Sequence, residues 1–210
     1  MQSDADHAAQ TEAFLDCLRV RRDPAADARA LPDLLGTLGW TNDDNRHALE
    51  LVRERWLREG DFDRTELAFA MDDVFPGRTR AEIHANVTAA ARRFPQFDGK
   101  ARTILEHWDA RARPTADQDP ESDAAFQGLA WDPAPPISMA EAMDFIVDHP
   151  APNAPPTYLA EIVDELIPCL TAEARAEIHA VCDAWAAGPD AWRAAIVEAL
   201  HIIRAEREVG

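Results

Sequence analysis

Lysine occurs once in the 210 residues, at Lys100, and serine three times, at Ser3, Ser122 and Ser138. These shortages exclude several chemistries. A phosphate-cradling GxxxxGK[ST] loop is missing, and so is a GxGxxG turn. There is no GxSxG nucleophile elbow, and Ser138 stands where a helix cap is wanted. The cysteines, Cys17, Cys169 and Cys182, are odd in number and lack CxxC spacing, which argues against a disulfide framework and a structural zinc site. They read as free thiols in or near a core. No apolar run approaches the roughly 18 residues of a membrane span. The start, "MQSDADHAAQ", puts acids where a signal peptide has a basic patch and then an apolar stretch. The expectation is a cytoplasmic protein.

Strand-forming residues are also scarce, and no segment alternates apolar and polar positions over a useful length. Ala, Leu, Glu and Arg dominate a chain that is 47% hydrophobic, which points to an all-α protein. Its length allows one sizeable core, or two small ones built from similar halves.

Charge is unbalanced. The net value is −18, with 39 acidic and 21 basic side chains. Residues 1–36 carry 4 basic and 7 acidic groups, residues 37–112 carry 12 and 14, and residues 113–210 carry 5 and 18. Such a field repels nucleic acid and anionic lipid and speeds encounter with a basic protein. Expected partners are therefore basic proteins, with no nucleic acid and no membrane.

The hexapeptide "RAEIHA" occurs twice, at Arg80–Ala85 and Arg175–Ala180, and the match extends outward. "LAFAMDDVFP" from Leu67 aligns with "LAEIVDELIP" from Leu159, an offset of 92, and "LGW" ending at Trp40 aligns with "LAW" ending at Trp131. "TILEHW" meets "AIVEAL", placing Ile104 on Ile196. One duplicated unit explains these matches. In the first copy helices are expected at 42–58, 64–75, 80–94 and 99–111, with stripes such as Leu49, Val52, Trp56 and Ile83, Val87, Ala91. In the second they are expected at 139–148, 157–167, 172–187 and 190–207. Capping boxes are read at "DRTE", "TRAE" and "SMAE", starting at Asp63, Thr79 and Ser138. The glycines before the C-terminus are expected between helices. A further N-terminal pair, "TEAFLDCLRVRR" and "DPAADARALPDLLG", would have Asp23 as cap and Pro24 at the first helical position, and would cover the first unit.

The organisation expected is an N-terminal helical cap at 1–36, a first helical unit at 37–112, an acidic Pro-rich linker at 113–136 and a second helical unit at 137–210. Two helical hairpins per unit resemble the stacked pairs of HEAT-like α-solenoids in period and pattern. The resemblance implies shape and partner binding, and nothing catalytic. Two packed four-helix bundles are the competing arrangement.

His84 and His179 sit on equivalent helices one unit apart, where they do not converge on one ion. They read as partly buried packing residues. One Glu-x-x-His pair, Glu198 to His201, stands where a di-iron bundle needs two, and its counterpart is Glu106 to Asp109. No catalytic residue, metal ligand or cofactor is assigned. The retained set Asp72, Arg80, Glu82 and Asp164, Arg175, Glu177 reads as structural. Asp72 with Arg80, and Asp164 with Arg175, would pin the hairpins, contributing no more than about 1 kcal/mol each if exposed.

The function expected is an acidic helical protein-binding module, an inhibitor or immunity-type protein that occludes a basic toxin or enzyme. Its partner-binding residues would be Trp131, Asp132, Asp148, Asp164, Glu165 and Asp183, with Trp131 as aromatic anchor and Trp185 and Trp192 in the core. The Pro-rich segment "DHPAPNAPPT" is a further contact or spacer loop. Alternatives are a DNA-mimic inhibitor of a nucleic-acid enzyme, a structural scaffold subunit and, last, a helical-bundle metalloenzyme.

Overall fold

The computed structural model describes residues 4–27, 29–41, 47–71, 76–111, 131–148 and 154–209. Among these residues there are ten α-helices packed against one another and no strand. The helices are α1 (Asp4–Val20), α2 (Ala30–Thr41), α3 (His47–Glu59), α4 (Phe62–Ala70), α5 (Arg80–Arg93) and α6 (Asp98–Arg111), followed by α7 (Met139–Asp148), α8 (Pro156–Leu166), α9 (Ala172–Ala187) and α10 (Ala191–Val209). No helix of the described residues is long and apolar enough to cross a membrane. The chain divides into two compact units, Met1–Thr11 with Ala48–Pro133, and Glu12–His47 with Ala134–Gly210.

The first unit is organised around α3 to α6. Trp56, Leu57, Leu67, Phe69, Met71, Ile83 and Val87 are almost fully buried, as the helical spacing of the apolar positions requires. A cluster of phenylalanines joins α4 to the turn after α5. Phe97 stacks on Phe62 at 5.3 Å and lies 5.0 Å from Phe69, with Phe94 edge-on to Phe62 at 5.6 Å. Two arginines serve helix ends, where backbone carbonyls lack partners. Arg93 Nη2 donates to the Leu57 carbonyl at 3.0 Å and to Thr65 Oγ1 at 3.3 Å. The buried Arg53 donates from Nε to the Ala68 carbonyl at 2.7 Å.

Helix starts are built from short polar side chains. At α5, Thr79 accepts from the Glu82 amide while the Glu82 carboxylate accepts from the Thr79 amide, the reciprocal box read from "TRAE". Ser138 and Glu141 form the same box before α7. The third box is corrected. Asp63 lies inside α4, and Asp61 is the cap, accepting from the Arg64 amide at 2.9 Å. Gly77, just before the Thr79 box, has φ +153, and a Cβ there would stand 2.9 Å from the Ile83 amide nitrogen.

In the second unit α8 packs against α10 and α2, and α9 against α10 and α7. Met139, Met143, Leu159, Val163, Leu166, Ile178, Ile196 and Leu200 fill its core. Here the expected cap on the first unit is corrected, because residues 12–36 belong to the second. Phe14 stacks on Phe145 at 4.7 Å, and the Cys17 thiol donates to the Ser138 carbonyl at 3.7 Å. The Asp23 amide donates to the Cys169 carbonyl and the Thr171 amide to the Arg21 carbonyl, each at 2.9 Å. Asp23 and Pro24 do not start a helix. The Asp23 carboxylate accepts from the Ala25 amide in a turn, and α2 begins at Ala30. Gly36 and Gly39 lie within α2, so these two glycines are helical rather than connecting.

Candidate functional site

The densest polar cluster described in the second unit forms where α10 begins. Asp144 and Asp148 stand four residues apart on α7, which places both carboxylates on one face. Arg193, in the first turn of α10, reaches both. Its Nη2 donates to Asp144 at 2.9 Å and to Asp148 at 3.0 Å, while Nη1 donates to Asp190 at 2.7 Å. Its guanidinium also lies over the Trp185 ring, 5.6 Å from the centroid. The other Asp190 oxygen accepts from the amides of Trp192 and Arg193, so one side chain caps the helix and holds the arginine. These bonds keep the Asp190 carboxyl below its ordinary range, and the Arg193 guanidinium is held more firmly protonated, Asp190 being the main cause. Trp192 follows directly and is 39% exposed.

The proposed contact residues fall in different places. Asp148, Glu165 and Asp183 are exposed in the second unit, and Asp132 is exposed in the first. Asp164 is corrected. It is only 6% exposed, held by Arg204 Nε at 3.1 Å and by Arg207, both on α10, so it is a packing ion pair and not a contact surface. Trp131 is half-buried rather than open. Its ring lies 4.9 Å from the Arg55 guanidinium carbon, and its carbonyl accepts from Arg55 Nη1 at 3.0 Å. Trp185 is buried as expected, whereas Trp192, in the first turn of α10, is 39% exposed even though it continues the i, i+4 stripe of Ile196 and Leu200 that fills the core.

The ion pairs expected to pin the hairpins are also rearranged. Asp72 lies outside the described residues, as do position 112, positions 113–130 of the linker and 149–153 of the second Pro-rich segment. Arg80 makes a bidentate pair with Asp109, at 2.6 and 2.9 Å, which holds the Asp109 carboxyl below its usual range. Arg175 lies 3.9 Å from Asp23, and not with Asp164. Glu82 caps α5, but Glu177 does not cap α9. Thr171 does so, and Glu177 lies 3.8 Å from Arg21. His84 and His179 are both exposed, not partly buried.

Burial pushes the thiols of Cys17, Cys169 and Cys182 above their ordinary range, which disfavours the reactive thiolate. Among the described residues, no group of three or more His, Cys, Asp or Glu side chains is placed to hold a metal ion. Sequence reasoning missed Arg193, Asp144 and Asp190. The signal was present in the i, i+4 spacing of Asp144 and Asp148 and the i, i+3 spacing of Asp190 and Arg193. Compared with protein families, curated proteins and solved structures, the chain shows no match.

Proposed function

We propose that this chain is an acidic protein-binding module of duplicated, HEAT-like helical design, which binds a basic partner protein, a toxin or an enzyme, and occludes it as an immunity-type inhibitor does. The observation that carries the reading is the start of α10, where three carboxylates gather about one arginine beside the exposed ring of Trp192. Net negative charge there attracts a basic surface at long range, and an exposed indole supplies short-range contact area. The contact residues in this reading are Asp148, Asp183 and Glu165, with Trp192 in place of Trp131 as aromatic anchor.

The test is capture by the immobilised full-length chain, from extracts of cells that make it, at low and high salt. A basic protein retained at low salt and released at high salt is the expected result. Retention of acidic proteins alone, or of nothing, overturns the proposal. Displacement of the captured protein by duplex DNA would identify a DNA mimic instead.

A further inference from the structure

The segment that leads into α7, "WDPAPPIS" from Trp131 to Ser138, is neither helix nor strand, yet burial along it is periodic. Trp131, Ala134 and Ile137 are half-buried, while Asp132, Pro133, Pro135, Pro136 and Ser138 are exposed. The inward position therefore recurs every third residue. A β-strand would repeat every second residue and an α-helix about every 3.6. Three residues per turn is the period of a polyproline II helix. The sequence imposes that conformation. The rings of Pro133, Pro135 and Pro136 fix φ at about −65°. Asp132, Ala134 and Pro135 each precede a proline, which disfavours the α region and leaves extended backbone. Every residue from Asp132 to Pro136 is under one of these constraints or both. The same preference shows at Pro155, before α8, with φ −73 and ψ 154.

The segment is held at both ends. At Trp131 the carbonyl accepts from Arg55 Nη1 at 3.0 Å and the ring lies 4.9 Å from the same guanidinium. At Ser138 the amide and hydroxyl donate to the Glu141 carboxylate at 2.7 and 2.8 Å. Between these anchors one edge of a three-sided rod is turned inward and two edges face solvent. One open edge carries Pro133 and Pro136, and the other carries Asp132 and Pro135. From Trp131 to Ile137 the rod runs about 19 Å. Its prolines offer apolar rings and carbonyl acceptors but no N–H, so a partner has to bring flat apolar faces and donors. Asp132, near the N-terminal end, is the one charged side chain in the segment.

We infer that residues 131–138 display a preformed polyproline II ligand for a partner domain with an aromatic-lined groove. Trp and Tyr side chains of that groove pack on the proline edges, their N–H and O–H groups donate to the segment's carbonyls, and a Lys or Arg at one end pairs with Asp132. The prolines and the two anchors fix the backbone before binding, which keeps the ordering cost low. This inference goes beyond the proposed function and does not rest on it, because recognition here comes from the proline edges and not from the net charge of the chain.

The test passes the full chain over immobilised SH3, WW and EVH1 domains, whose grooves are of this kind, and measures the Kd for each domain that retains it by calorimetry. At least one domain is expected to bind, and a decaproline peptide, which fills the same groove, is expected to displace the chain. Pro133→Ala with Pro136→Ala is expected to weaken binding at least tenfold, by removing one proline edge and freeing the backbone. Asp132→Asn is expected to weaken it severalfold and to reduce its salt dependence. Circular dichroism and urea unfolding check that the variants keep the native helix content and stability, as substitution of exposed residues should allow. Retention by none of the domains overturns the inference, and so does binding that neither decaproline nor the double substitution diminishes. Binding that survives the double substitution but is lost in Pro155→Ala with Pro156→Ala assigns the ligand to the other Pro-rich segment and also overturns it.

Discussion

Glu54 offers the sharpest physical prediction. It lies on α3 with its side chain 17% exposed, 3.7 Å from Arg58, and burial pushes its carboxyl up to about 7. The carboxylates of Glu82 and Glu50 push in the same direction, while Arg58 and Arg78 oppose them. In the unfolded chain the group returns to an ordinary value near 4.3. Below that value both states hold the proton. Between it and about pH 7 only the folded state does, so stability is lost as pH rises through this window and levels off above it. At about 1.4 kcal/mol per pH unit over that window, the loss is at most about 3–4 kcal/mol. Glu54→Gln keeps the shape of the side chain and removes the ionisation. It gives up a pairing with the 44% exposed Arg58 worth a few tenths of a kcal/mol. The variant is expected to exceed the native chain by about 2–3 kcal/mol at pH 8, and to match it within about 0.5 kcal/mol at pH 4.5. Urea unfolding between these limits reads this as a midpoint difference of about 1 M that closes on acidification. Parallel curves for the two proteins across the range would refute the reasoning, as would a Glu54 carboxyl resonance titrating near 4.

Other outcomes follow from the same kind of argument. Asp164→Ala removes a buried carboxylate held by Arg204 and Arg207, and because both arginines retain some solvent the expected loss is about 2 kcal/mol, measured by urea unfolding at pH 7. Gly77→Ala asks a side chain to occupy φ +153 and to crowd the Ile83 amide, and should lower stability by about 1–3 kcal/mol in the same assay. Thr79→Ala opens the reciprocal cap of α5 and should cost about 1 kcal/mol, read as faster amide hydrogen exchange in the first turn of that helix.

The helices themselves were largely legible in the sequence, because apolar spacing and capping residues act locally. The α9 span expected from 172 to 187 matches Ala172–Ala187, and the Thr79 box appears as read. What was not legible is which long side chains meet. The repeated hexapeptide shows why. In the first copy Arg80 finds Asp109 on α6, but the aligned position in the second copy holds His201, so Arg175 lies near Asp23 instead. In the second copy α9 also starts at Ala172, three residues before the hexapeptide, so Glu177 is too far along the helix to cap it. The three-residue drift between the copies, 95 against 92, corresponds to that extra turn. The α2 glycines were misplaced because a buried apolar helix tolerates residues of poor propensity, tertiary packing outweighing about 1 kcal/mol at each. The cluster about Arg193 required α7 and α10 to be brought together, which no local pattern encodes.

Fast, electrically steered encounter with a basic protein is the central claim, and it is tested most directly by stopped-flow association of the full chain with the protein it captures, followed across ionic strength. The account predicts a rate that falls tenfold or more between about 0.05 and 0.5 M salt, with a smaller slope for the chain carrying Asp148→Asn and Asp183→Asn. A rate independent of salt, or a slope unchanged by those substitutions, would contradict it.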